Sequence, residues 1–401
     1  MFYLRAATGL SDDLSQVFGT TMPIENIPPK QPTVFHYTES PRDMFLEYRI
    51  TKVYPEEGKL NVSPSVVCEA RSKKEQVIYK IFFMLDDEKR FSLQRLLYES
   101  QVYRYITMNL SWVTRCFVPW HATYMFKAFH LDATTWNEDD LVTFRDTLKK
   151  SGNYEAFKAF YAVFGQQKSV NTVFAQVTRR MSGDKTLLDY MNEKFGLLFN
   201  IAPEVLFQVI FALAVMGEMK IQHNDLHIGN ILIREIKKQL HGYYFKGSLF
   251  WVEQTVQISI FDWDQAYVES LKENYGLNDK TFEEEGIGNV FNPRYDIYNF
   301  LSSIENFYHD EPPPQLSDVL KFARPTKFEK SPIKLCNVVE EKCAPFETGQ
   351  PESVKLPHVL LQTLPLFQSY RKEGVAQRTS QKGIVRFDKP DKPSFFGTLF
   401  K

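Results

Sequence analysis

The stretch His223-Asn224-Asp225-Leu226-His227-Ile228-Gly229-Asn230-Ile231-Leu232 decides how the rest of the chain is read. It follows an apolar run at 203–220, which predicts a helix with Pro203 in its first turn. It runs into Ile231-Leu232-Ile233, which predicts a short strand. Thirty-two residues past Asn230, at the end of a second apolar strand over 256–261, stands Asp262-Trp263-Asp264. Such a loop offers a carboxylate and a carboxamide, and the next strand delivers another carboxylate. Hard oxygen atoms of this kind suit a divalent cation, and a carboxylate suits a proton acceptor.

Upstream of this loop the chain reads as strand-rich, over 45–54, 65–70, 76–83, the FVPWHATYMF stretch and 171–177. The turn RSKKE predicts an antiparallel hairpin between the second and third of these. One helix interrupts them, with Leu93, Leu96, Leu97, Tyr103 and Ile106 on one face of 91–106. Residues 135–165 read as a helical insertion. Beyond 180 the pattern turns helical, with a further helix at 291–308 and another at 357–368. Between the two short strands at 231–233 and 256–261 the aromatic alternation predicts an inserted hairpin. Its aromatics suit a β-hairpin face better than a stacking platform, since no basic cluster interleaves with them. The order of elements predicts an α+β fold in two lobes.

With 401 residues, two or three domains or one bilobal fold are expected at ~150 residues per domain. Lys and Arg (48) balance Asp and Glu (49), which argues against nucleic acid as the main ligand. The four cysteines form no C-x-x-C pair, so neither a zinc site nor a disulfide framework is expected and a reducing compartment is. The longest apolar run, 205–216, is interrupted by Gln208 and falls short of the ~18–20 residues that span a bilayer. No signal-peptide pattern opens the chain, and an intracellular location is expected.

On His223, Asp225, Asn230 and Asp262 the chain resembles the protein-kinase superfamily, whose catalytic loop reads H-x-D-x-x-x-x-N before a strand and a metal-binding Asp. The resemblance implies a bilobal kinase-like fold: an N-terminal extension (1–40), a β-rich N-lobe (41–177) carrying the insertion near 135–165, a helical C-lobe (178–325) and a C-terminal extension (326–401). It implies ATP and Mg²⁺. Asp225 would then accept or orient the acceptor's hydroxyl proton, and Asn230 and Asp262 would hold magnesium. Val77-Ile78-Tyr79-Lys80 takes the place of the family's V-A-I-K, so Lys80 would contact the phosphates. Glu99, nineteen residues later, would hold Lys80 by an ion pair. His223 is expected to shape the loop, and Asp296, in NPRYDIYNFL, to cap its backbone. HNDLHIGNI, the inserted hairpin and NPRYDIYNFL are most similar to Ser/Thr protein kinases of large nucleocytoplasmic DNA viruses. That implies a protein substrate, and host cytoplasm or a virion as the location.

The departures point elsewhere too. Between the first two strands only Gly58 stands where a glycine-rich loop is expected, Asn224 replaces the Arg of H-R-D, and His227 replaces a common Lys. Asp264 replaces the Gly of D-F-G. A second acid there is usual in choline-kinase-like and aminoglycoside-phosphotransferase-like enzymes, where it helps hold magnesium. A small-molecule kinase is therefore one alternative reading, and a non-catalytic pseudokinase scaffold is another.

Overall fold

The computed structural model describes residues 36–37, 49–54, 65–73, 75–85, 90–110, 115–127, 170–180, 185–193, 198–246, 248–271, 274, 277, 289–308, 312–323, 354–371 and 384–387. The expected extension at 1–40 falls almost wholly outside these residues. So do the insertion near 135–165 and the Gly58 segment. The contacts divide the chain into two units: residues 1–100 with 119–182, and residues 101–118 with 183–401.

The first unit contains β1 (His36–Tyr37), β2 (Arg49–Tyr54), β3 (Ser65–Arg71), β4 (Gln76–Leu85), the opening turns of helix α1 (Arg90–Leu110), β5 (Trp120–Lys127) and β6 (Val170–Arg179). Among the described residues they form one sheet in the order β1-β5-β6-β4-β3-β2. β3 and β4 are the expected antiparallel hairpin, with Cys68 opposite Tyr79 and Val67 opposite Lys80. On β4 the side chains alternate as a strand requires. Val77, Tyr79 and Ile81 are wholly buried, while Ile78, Lys80 and Phe82 share the other, half-buried face. β6 lies inside the sheet and is buried at every residue from Phe174 to Thr178, so its sequence FAQVT does not alternate.

The second unit holds β7 (Lys185–Thr186), α2 (Leu187–Glu193), α3 (Leu198–Glu218), β8 (Ile221–Gln222), β9 (Ile231–Phe245), β10 (Ser248–Ile260), β11 (Tyr267–Val268), α4 (Tyr295–Phe307), α5 (Pro314–Ala323), α6 (Pro357–Thr363), α7 (Pro365–Gln368) and β12 (Ile384–Phe387). α3 is buried from Val205 to Met216, as an all-round apolar helix must be. It starts at Leu198, so Pro203 is not in the first turn as expected. Lacking an N–H, Pro203 leaves the carbonyl of residue 199, in the first turn, without its helical donor.

The ribbon also differs from expectation. The two short strands and their inserted hairpin are one continuous antiparallel pair, in register from Ile231 opposite Ile260 to Phe245 opposite Ser248. Its single irregularity lies between Gln254 and Val256, and α3 resolves it. The Glu204 carboxylate accepts from the N–H groups of Thr255 (2.7 Å) and Val256 (3.2 Å). Gln208, which breaks the apolar run of α3, donates to Val256 O at 3.0 Å and accepts from Ile258 N at 3.2 Å.

The aromatic face of the ribbon is buried. Phe207 and Phe211 of α3 lie edge-on to Tyr243, with ring centroids 5.1 and 4.9 Å away. Phe367 of α7 and Tyr370 close the same cluster, each edge-on to Phe207. β12 adds in parallel to the far end of β9, Ile384 opposite Gly242. Described parts of the expected C-terminal extension thus help form the core of this unit.

Candidate functional site

The loop between β8 and β9 is built by hydrogen bonds that its own sequence cannot supply. Asn224 adopts a left-handed backbone (φ 69°), which Asn tolerates better than most residues. The turn aims the N–H groups of His223 and Asn224 at one carboxylate. Asp296, in the first turn of α4, accepts both, at 2.7 and 2.9 Å. Along the same face of α4, Asn299 donates to Asn224 O (3.3 Å) and Ser303 accepts from Ile228 N (3.2 Å). Sequence reasoning named Asp296 and missed the other two. Their spacing of three and seven residues past Asp296 marks one helix face and is the signal that finds them.

His223 is fully buried, and its partners fix its tautomer. Nδ1 accepts from Asp225 N (3.3 Å), so Nε2 carries the proton and donates to Phe261 O at 2.8 Å. Burial holds this imidazole down to about 4. Burial likewise pushes the Asp296 carboxyl up to about 7, against the pull of its two amide donors.

These two groups give opposite pH dependences. The His223 contribution is present above its unfolded pKa of about 6.5 and is lost as pH falls towards about 4. The Asp296 contribution is present below about 4 and is lost as pH rises towards about 7. Together they nearly cancel between pH 4 and 6.5. Asp296→Asn is therefore expected to do two things. At neutral pH it turns an NH₂ towards one buried amide and costs about 1–3 kcal/mol. It also unmasks His223, so stability falls by about 1.4 kcal/mol per pH unit on acidification through that window. Urea unfolding of both proteins in metal-free buffer from pH 4 to 7.5 reads both effects. Equal slopes in the two proteins would refute the assignment.

Asp225 stands at the mouth of this loop with its side chain 40% exposed. Asn230 closes the 3₁₀ turn Ile228–Asn230, and its Nδ2 donates to Asp225 O (2.8 Å) and Asp225 Oδ2 (3.2 Å). The structure thus brings together the carboxylate and the carboxamide that the sequence spaced five residues apart. His227 caps the turn: its Nδ1 accepts from Gly229 N at 3.0 Å and its Nε2 lies 3.9 Å from Asp225 Oδ2. A Cβ on residue 229 would sit 2.7 Å from the His227 ring, which is why glycine stands there. Burial lowers the His227 pKa.

Asp262 follows the end of β10 and also has a left-handed backbone, φ 66°. Its neighbours tie it to the loop. Phe261 N donates to Asn230 O (3.2 Å), and the buried Trp263 ring packs 4.6 Å from the His223 ring. The Asp262 N–H itself donates to the Tyr103 hydroxyl at 2.9 Å. Nothing in the sequence links those two residues, 159 apart. Asp264 lies in the following turn, where its carbonyl accepts from Asn274 Nδ2 at 3.0 Å.

In the first unit, Lys80 Nζ meets Glu99 Oε1 at 3.3 Å, as the resemblance implies. Glu99 is 1% exposed and Lys80 24%. Gln176, which sequence reasoning missed, donates to the same Glu99 oxygen at 3.4 Å.

Asn230 and Asp262 offer oxygen donors of the kind magnesium takes. With Asn230 Nδ2 turned to Asp225, the amide presents Oδ1 at its other end, and Asp262 adds a carboxylate. Both are hard oxygens. Among the described residues no three His, Cys, Asp or Glu side chains group as a self-sufficient metal cage.

Two proteins of Acanthamoeba polyphaga mimivirus, each named "Putative serine/threonine-protein kinase", align with this chain. One is 25% identical over 206 residues (46% of this chain, 42% of its own), the other 34% identical over 108 residues (25% and 27%). The chain is related to protein kinases. It spans less than half the length of either curated relative. No family model matches it. A solved kinase domain covers 67% of this chain and 65% of its own at a TM-score of 0.39 and 11% identity, too loose a likeness to carry an argument. Among the described residues no helix is long and apolar enough to cross a membrane.

Proposed function

We propose that this chain is an ATP- and Mg²⁺-dependent phosphotransferase that moves the γ-phosphoryl group to Ser/Thr hydroxyls of proteins. The observation that carries the reading is the loop itself. A half-exposed Asp225 carboxylate is held by the Asn230 amide on a backbone clamped by Asp296. The Lys80–Glu99 pair, with its carboxylate buried, and the names of the mimivirus relatives support it.

In this reading Asp225 takes or orients the proton of the acceptor hydroxyl. Lys80, kept in place by Glu99, contacts the α- and β-phosphates. Asn230 and Asp262 hold magnesium, with Asp264 as a further oxygen donor. Bound magnesium supplies positive charge that offsets the phosphates. His223 and Asp296 fix the loop and take no part in the transfer.

The test offers γ-labelled ATP with Mg²⁺ to the protein alongside a protein mixture, choline and aminoglycosides. Label on Ser or Thr of proteins is the expected result. Label confined to the small cationic acceptors makes it a small-molecule kinase. Failure of Mg-ATP to shift the melting temperature makes it a scaffold.

A further inference from the structure

Beneath the Lys80–Glu99 pair, four polar side chains run through the interior of the first unit as one continuous chain. Trp120 Nε1 donates to Thr123 Oγ1 at 3.0 Å. The Thr123 and Ser100 hydroxyls are 2.9 Å apart. Ser100 Oγ donates to Gln176 Oε1 at 3.1 Å, and Gln176 Nε2 donates to Glu99 Oε1 at 3.4 Å. That is the oxygen Lys80 Nζ also meets. The sheet register creates this line-up. Lys80 on β4 and Thr123 on β5 both lie opposite Gln176 on β6, while Glu99 and Ser100 are consecutive on α1. Ser100, Thr123 and Gln176 are each at most 2% exposed.

The chemistry of the two ends fixes the direction of every bond. An indole N–H only donates and an ionised carboxylate only accepts. The single hydrogen of Ser100 goes to the Gln176 carbonyl, so Thr123 is the donor in the Thr123–Ser100 bond. The Gln176 amide is thereby oriented with its nitrogen towards Glu99. All the hydrogens point one way, from Trp120 to Glu99. Such chains polarise one another, and they act where the dielectric is low and a bare carboxylate is costly.

We propose that this one-way chain of donors is a positioning device. It holds the buried Glu99 charged and in the rotamer that meets Lys80, so the Thr123 and Ser100 hydroxyls, which donate to neither residue, set the grip of Lys80 on the nucleotide. The proposal rests on the reading of Lys80 as the phosphate-contacting lysine.

Thr123→Val cuts the chain while keeping the side-chain shape, and Thr123→Ser keeps the hydroxyl. Two readouts are taken on the full chain, well below each melting temperature. Calorimetric Mg-ATP affinity is expected to fall about tenfold in Thr123→Val, equivalent to about 1.4 kcal/mol, and to stay near wild type in Thr123→Ser. Labelling of Lys80 by an amine-selective acylating reagent without nucleotide, read by mass spectrometry, is expected to rise in Thr123→Val and not in Thr123→Ser. Unchanged labelling and affinity in Thr123→Val overturn the proposal. So does a Ser variant as impaired as Val, because packing rather than the hydroxyl is then the cause. If labelling rises as expected but wild type binds no Mg-ATP, the positioning chain stands and the phosphate reading of Lys80 falls.

Discussion

Asp225→Asn is expected to cut phosphoryl transfer about 10²- to 10⁴-fold, the range over which a positioned proton acceptor acts. The substitution isolates that role because the loop does not depend on the Asp225 charge. Its backbone is held by Asp296, Asn299 and Ser303, and by His223 Nδ1, which takes the residue 225 amide. Asn230 Nδ2 bonds the residue 225 carbonyl, which any side chain leaves in place, and an Asn carbonyl oxygen can accept its second bond. A side chain 40% exposed loses little on neutralisation. Mg-ATP at a hundredfold its dissociation constant should therefore still stabilise the variant by about 2.7 kcal/mol, as in wild type. Melting curves with and without Mg-ATP, beside initial rates, separate the outcomes. Transfer at the wild-type rate would remove Asp225 from the chemistry. Loss of the melting shift would assign it to nucleotide binding instead.

The loop is legible because its candidate groups are local. His223, Asp225 and Asn230 sit at fixed offsets in one segment, and a left-handed Asn224 with a close-packed Gly229 is a local requirement as well. The Lys80–Glu99 pair needed only a strand and the helix after it. What the sequence hid depends on register. Gln176, Ser100 and Thr123 are ordinary residues of apolar elements until the sheet lays β4, β6 and β5 side by side. Tyr103 and Asp262 meet across 159 residues with no shared pattern. The sequence reads as two short strands with an inserted hairpin between them, because aromatic alternation and glycines mark the segment that joins them. In the fold Gly242 lies opposite Trp251 within a continuous ladder, and the turn is at Lys246, φ 46°. Gln208 looked like a flaw in an apolar helix. It is the group that bonds the backbone of β10 where the ladder slips.

Asp262→Ala and Asp262→Asn together are expected to separate charge from backbone strain at the other end of the site. Residue 262 lies at φ 66°, a region that Asp and Asn enter more readily than Ala. Alanine therefore adds roughly 1 kcal/mol of strain to whatever the lost carboxylate causes, and asparagine adds little. Both keep the backbone N–H that the Tyr103 hydroxyl accepts, so the local path of the chain has the same anchor in each. If Asp262 holds magnesium, both variants lose charge stabilisation of several kcal/mol, and transfer falls by about three orders of magnitude or more. Only the alanine variant should also melt lower without ligand. The magnesium concentration that gives half-maximal transfer should rise steeply in the asparagine variant, since an amide oxygen is a weaker partner for a hard cation than a carboxylate. An asparagine variant with wild-type rate and wild-type magnesium dependence would show that the carboxylate is dispensable, and residue 262 would then matter only for the turn it makes.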